Sequence, residues 1–145
     1  MRSGLFTIAL AECVGSEGRV YAVDSDGKAI RTLQKKADKR GYHIIEAHVS
    51  SASDLSFIKD GSVDFILASG LLCSMAPQYH ESAVNEMKHI LKPGGLAYLS
   101  AAKGSHSYMS QNEWNQTLEG FKVEQRGGDS YTMIEDRWAL VSKKQ

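Results

Sequence analysis

Gly18-Arg19-Val20-Tyr21-Ala22-Val23-Asp24-Ser25-Asp26-Gly27 is an apolar, β-rich run held between a glycine and a turn-forming Ser-Asp-Gly cluster. The apolar residues are continuous rather than alternating, which marks a strand covered on both faces, as in a parallel sheet. Just downstream, Ala29, Ile30, Leu33 and Ala37 repeat at helical spacing among Arg31, Lys35, Lys36, Lys39 and Arg40, and Gly41 closes the segment. That pattern predicts an amphipathic helix. Upstream, Leu5, Ile8, Ala9, Glu12 and Cys13 share helical spacing before Gly15, so a short, largely buried helix is expected over Leu5 to Val14.

Further along, His43 to His48 reads as a strand, and Val63 to Ala68 as a more apolar one after the turn at Asp60-Gly61. Val84, Met87, Ile90 and Leu91 form the core face of a helix that Lys92-Pro93-Gly94-Gly95 must end, and Leu96 to Ser100 is the next strand. Ser110-Gln111-Asn112-Glu113 has the capping-box pattern, which starts a helix carrying Trp114 and Leu118 and stopping near Gly120. Phe121 to Gln125 and Tyr131 to Val141 flank Gly127-Gly128-Asp129 and predict a C-terminal antiparallel hairpin. This alternation implies an α/β three-layer sandwich with a mostly parallel, Rossmann-like sheet, residues 1–145 forming one domain around one core. Ligands of such sheets bind at strand carboxyl ends, which directs attention to Asp24-Ser25, Ser50-Ser51-Ala52, Ser69-Gly70 and Ala102-Lys103.

Composition narrows the function classes. With 145 residues, 42% hydrophobic and 23% charged, 13 glycines and 2 prolines, the chain fits neither disordered nor collagenous classes. Seventeen basic side chains balance 17 acidic ones, so no whole-molecule field draws in nucleic acid or anionic lipid. The Lys35, Lys36, Lys39, Arg40 cluster reads as a solvated helix face. Cys13 and Cys73 lack CxxC spacing and predict free thiols in a reducing, cytoplasmic setting. Apolar runs such as Phe65 to Ala68 fall far short of the roughly 20 residues that span a bilayer, and Glu12 and Gly15 interrupt any secretory-signal pattern. Neither nucleic acid nor membrane is expected as a partner.

Four blocks together resemble class I S-adenosylmethionine-dependent methyltransferases, close in pattern to the small-molecule, ubiquinone-biosynthesis-like branch. They are Gly4-Leu5-Phe6-Thr7-Ile8-Ala9-Leu10-Ala11, Gly18 to Asp24, Asp60-Gly61-Ser62-Val63-Asp64-Phe65-Ile66-Leu67, and Leu91-Lys92-Pro93-Gly94-Gly95. The resemblance covers nearly the whole chain and implies S-adenosylmethionine as cofactor and a small-molecule methyl acceptor. It places Asp24, with Ser25 beside it, at the cofactor's ribose hydroxyls; a carboxylate only accepts hydrogen bonds and can take two O–H donors at once. A turn aspartate bonding its own backbone is the alternative. Ser51-Ala52 falls where the family has an acidic residue facing the adenine amino group. The acid is absent here, and a serine is a weaker partner; an ordinary loop serine is the other reading. Gly4, Ser69 and Gly70 match positions around the methionine half, with a plain strand-to-helix turn as the competing account for the last two. The turn Lys92 to Gly95 is structural. His80, next to Tyr79, falls in a segment where some family members contact substrate, and histidine can act as a base near neutral pH; an exposed histidine at a helix start is the favoured reading.

The resemblance reaches back only to Gly4, matching the last glycine of the family's cofactor loop, so the chain resembles a methyltransferase truncated inside motif I and lacking the usual first strand. Two rows of buried backbone groups would then need partners. Either Val20–Val23 pairs directly with Val63–Leu67, or a second copy supplies backbone in a homodimer. A catalytically inactive methyltransferase-like binding or assembly module is the second functional reading. A nicotinamide-dependent dehydrogenase is set aside, because Gly15-Ser16-Glu17-Gly18 follows a helix rather than a first strand.

Overall fold

The computed structural model describes residues 5–104, 106–128 and 136–144. They fall into two compact units, residues 1–52 and 53–145. The first unit is built from α1 (Leu5–Val14), β1 (Val20–Asp24), α2 (Gly27–Arg40) and β2 (Ile45–Val49). β1 and β2 are parallel, in register from Val20 opposite Ile45 to Asp24 opposite Val49. α2 starts where the Asp26 side chain caps the Lys28 N–H at 2.9 Å, and stops at Gly41, whose φ of 72° lets its N–H reach the Ala37 carbonyl. Its stripe of Ile30, Leu33 and Ala37 is buried. Leu33 and Ala37 join Ile8, Ala11, Val20, Ala22 and Ile45 in one core. Full burial of a leucine such as Leu33 contributes about 1.5–3 kcal/mol.

α1 is less buried than expected. Thr7, Ile8 and Ala11 face inward, while Ala9, Glu12 and Cys13 are exposed and Phe6 and Val14 stand 48% and 45% open. The helix is apolar on nearly every side, so spacing alone did not determine its inner face. Its Glu12 accepts a 2.8 Å hydrogen bond from the Tyr42 hydroxyl.

The second unit holds β3 (Val63–Ser69), α3 (His80–Ile90), β4 (Leu91–Ala101), α4 (Gln111–Glu119), β5 (Phe121–Gly127) and β6 (Arg137–Lys143), with short 3-10 turns at Leu72–Ser74 and Pro77–Tyr79. Its sheet runs β3-β4-β6-β5; β3 and β4 are parallel, while β6 is antiparallel to both its neighbours. β5 and β6 pair antiparallel as the expected C-terminal hairpin strands do, with Arg137–Lys143 as the described strand where Tyr131 to Val141 was expected; residues 129–135 lie outside the described residues. The capping box also forms: the Ser110 hydroxyl accepts the Glu113 N–H at 3.1 Å. Trp114 and Leu118 are buried along with Met87, Leu91, Leu99 and Val141.

Three expectations change. α3 starts at His80 as expected but ends at Ile90, so Leu91, expected on its core face, lies in the next strand instead. β4 begins at Leu91 rather than Leu96, so Lys92 to Gly95 is a bulge within a strand and not a turn before one. Val63 pairs with Leu91 and Phe65 already with Leu96, so β4 spends extra residues there. Gly95 is needed for room, since a Cβ would sit 2.9 Å from the Leu91 side chain and 3.1 Å from the Asp64 carbonyl. Lastly, β1 pairs only with β2 and β3 only with β4, so the direct pairing of Val20–Val23 with Val63–Leu67 does not form among the described residues.

Candidate functional site

The first unit presents the carboxyl ends of β1 and β2 side by side. The Ser50 N–H donates to the Asp24 carbonyl at 3.0 Å, so Ser50, Ser51 and Ala52 leave the sheet beside Asp24. Asp24 is half-buried, and its Oδ1 accepts the Asp26 N–H at 2.9 Å. The turn role is thus real, but it occupies one oxygen. No described residue donates a hydrogen bond to Oδ2. Ser25 and Ser51 are exposed and Ala52 is half-buried. The Ser50 hydroxyl donates to the Ser51 carbonyl at 3.3 Å. Val49, opposite Asp24 in register, is 59% exposed, an apolar surface at this rim that strand periodicity did not single out.

In the second unit, Ser69 ends β3 and Gly70 follows with φ of 66°. The Gly70 N–H lies 3.0 Å from both the carbonyl and the hydroxyl of buried Ser100, whose hydroxyl donates to Ser69 Oγ at 3.3 Å. The Gly70 carbonyl accepts from the Ser74 hydroxyl at 3.0 Å and the Cys73 thiol at 3.4 Å. A Cβ at Gly70 would meet nothing within 4 Å, so the backbone is open to close approach from outside. Gly4 lies outside the described residues.

His80 departs from its favoured reading. It sits at a helix start, yet it is only 8% exposed. Its Nε2 is 2.9 Å from the Met75 carbonyl, which only accepts, so Nε2 carries hydrogen; Nδ1 lies 3.4 Å from Glu113 Oε2. The Nε2 bond ties α3 to the preceding turn, and Glu113 of α4 lies beside Nδ1. Tyr79 is 48% exposed. Between α3 and α4 a groove of about 450 Å³ is lined by His80, Val84, Lys88, Glu113, Thr117 and Gly120 among others. Lys35, Lys36, Lys39 and Arg40 are exposed along α2, as a solvated face requires. Cys13 is exposed, Cys73 is buried, and both are free. No helix among the described residues is long and apolar enough to cross a membrane.

Arg137 was not anticipated. It opens β6 opposite Ala101 and is 3% exposed. Its Nη2 donates to the carbonyls of Ala102 at 2.9 Å and Met109 at 2.6 Å. The signal lay in alternation, since Arg137, Ala139 and Val141 share the buried phase of the strand.

The family described as "Methyltransferase domain" matches residues 2–95. This chain belongs to that family. The demethylmenaquinone methyltransferase of Geobacillus stearothermophilus is 35% identical over 91 residues, covering 63% of this chain and 38% of the relative. That of Staphylococcus epidermidis is 35% identical over 92 residues, covering 63% and 36%. The chain thus spans less than two-fifths of the length of these curated relatives. Among solved structures, a SAM-dependent methyltransferase from Aquifex aeolicus aligns over 98% of this chain and 78% of its own, with a TM-score of 0.78 and 20% identity. The N-methyltransferase NodS from Bradyrhizobium japonicum aligns over 99% and 82%, with a TM-score of 0.74 and 17% identity. These likenesses show the fold, an α/β methyltransferase fold, and with the family match they imply S-adenosylmethionine as cofactor.

Proposed function

We propose that this chain, acting as one methyltransferase-like domain over residues 1–145, binds S-adenosylmethionine and serves methyl transfer to a small-molecule acceptor. The observation that supports the reading best is the carboxylate of Asp24 at the carboxyl end of β1, whose Oδ1 holds the turn and whose Oδ2 takes no hydrogen bond from the described residues. S-adenosylmethionine supplies an already activated methyl group, so the protein's task is largely to bind and orient, and no acid–base residue is required. In this reading Asp24 accepts the ribose hydroxyls with Ser25 beside it. Ser51 and Ala52 face the adenine, with Val49 as apolar rim. Ser69 and Gly70 offer open backbone to the methionine half, and Gly4 belongs with them. Relatives named for demethylmenaquinone favour a quinone-type ring as acceptor.

Calorimetric titration with S-adenosylhomocysteine tests this. Micromolar binding that Asp24→Ala abolishes is the expected result, and no heat at millimolar ligand would overturn it. A second reading, an inactive assembly module, is favoured by the strand edges of β1 and β3 that carry no partner among the described residues. It predicts self-association, with a homodimer in sedimentation velocity, and no response to the cofactor. In either case we place the protein in the cytoplasm, away from nucleic acid and membrane.

A further inference from the structure

Several contacts in the loop that follows β4 run in series. Ser107 brackets Met109: its hydroxyl accepts the Met109 N–H at 3.0 Å and lies 3.3 Å from the Met109 carbonyl. The Tyr108 N–H donates to the Cys73 carbonyl at 2.9 Å, in the turn that Gly70 opens. Met109, 2% exposed, gives its carbonyl to Arg137 Nη2, which also holds the Ala102 carbonyl. One guanidinium nitrogen therefore clasps both ends of the excursion from β4. Next to its Met109 end, at Tyr108, that excursion is joined to the same turn that presents Ser69 and Gly70.

We infer that Arg137 is a positioning residue for the cofactor turn: by clasping Ala102 and Met109 it seats Ser107–Met109 against Cys73 and so sets the Ser69-Gly70 backbone. The inference rests on the methyltransferase reading for its ligand but not for its geometry. The planar fork suits the task, because the two hydrogens of one Nη2 point along fixed, divergent directions toward two carbonyls. A lysine keeps the charge without that geometry. Tyr108 itself is 55% exposed, so the contact that fixes this stretch is made by its backbone.

The test compares Arg137→Lys and the milder Ser107→Ala with Met87→Ala, a core truncation remote from the clasp that serves as a stability control. Amide hydrogen exchange and S-adenosylhomocysteine affinity are read on each full-length chain. Expected are at least tenfold faster exchange at the Tyr108 amide and a tenfold weaker Kd in Arg137→Lys, with smaller changes of the same sign in Ser107→Ala. Met87→Ala lowers the melting midpoint without either effect. Unchanged Tyr108 exchange in both clasp variants, or the same weakening in Met87→Ala, would overturn the inference. A wild-type chain that binds no S-adenosylhomocysteine would instead overturn the methyltransferase reading, and the exchange data alone would then decide the part played by Arg137.

Discussion

Gly70→Ala separates a conformational role from a recognition role. At φ of 66° an alanine adopts the left-handed region at a cost of about 1–2 kcal/mol, partly offset by about 0.4–1 kcal/mol from the stiffer unfolded chain. Since a Cβ at Gly70 meets nothing within 4 Å, no internal clash adds to this, and the net loss is about 1 kcal/mol. Gly61 is a matched control in the same unit, with φ of 61° and an equally empty Cβ environment. Gly61→Ala and Gly70→Ala are therefore expected to lower stability alike in urea titrations. Only Gly70→Ala is expected to weaken S-adenosylhomocysteine, by tenfold or more in calorimetry, because its methyl occupies the space into which a ligand would press. Equal affinities for the two variants would show that Gly70 serves the turn alone and that the methionine half does not approach it.

Asp24→Asn keeps an oxygen for the Asp26 N–H, so the melting midpoint should hold. One acceptor toward the ribose is lost, however, and calorimetry should show a Kd about 10- to 100-fold weaker, given about 1.5–3 kcal/mol for a hydrogen bond to a charged group. Ser110→Ala removes the cap on Glu113 and should cost about 1 kcal/mol in urea unfolding, with ligand affinity unchanged. Asp54 is held below the ordinary carboxylate range, chiefly by the Ser56 hydroxyl and then by the Ser56 N–H. A lowered folded-state value means that its contribution to stability is present above the ordinary range and is lost as pH falls through the lowered value. Ser56→Ala should move the Asp54 midpoint upward in a carboxyl-carbon NMR titration; an unmoved midpoint would refute the assignment.

Local signals in this chain were legible wherever a side chain acts on its own neighbourhood. Ser110 announces a helix because its hydroxyl caps residues three positions on, and Gly41 announces a stop because few other residues tolerate its backbone angles. Asp24 was singled out by its place at the end of an apolar strand and by the family resemblance, and the turn bond from the Asp26 N–H to its Oδ1 was one of the two readings the sequence offered. What stayed hidden depends on contacts distant in sequence. His80 is polar and stands at a helix start, both marks of exposure, yet it is buried with its Nε2 on the Met75 carbonyl and Glu113 of α4 beside its Nδ1. Arg137 looks like a surface charge until the carbonyls of Ala102 and Met109, far away in the chain, are brought to it. Pro93 and the glycines after it suggest an end to regular structure, whereas β3, earlier in the chain, pairs on both sides of them, Val63 with Leu91 and Phe65 with Leu96.

That bulge also sets the beat for everything downstream. Side chains on a strand alternate faces, so the residues spent at Lys92 to Gly95 determine which way Tyr98, Leu99 and Ser100 turn. Deleting a single residue there would rotate the remainder of β4 by half a period and withdraw the Ser100 hydroxyl from Gly70. Exchanges of amino acid at Lys92, whose ammonium merely reaches Asp64 at 3.0 Å on the surface, leave the rhythm intact. The stretch should therefore be lenient about identity at Lys92 but strict at Gly95 and about length, so that insertions and deletions there mark the boundary of what this fold can absorb.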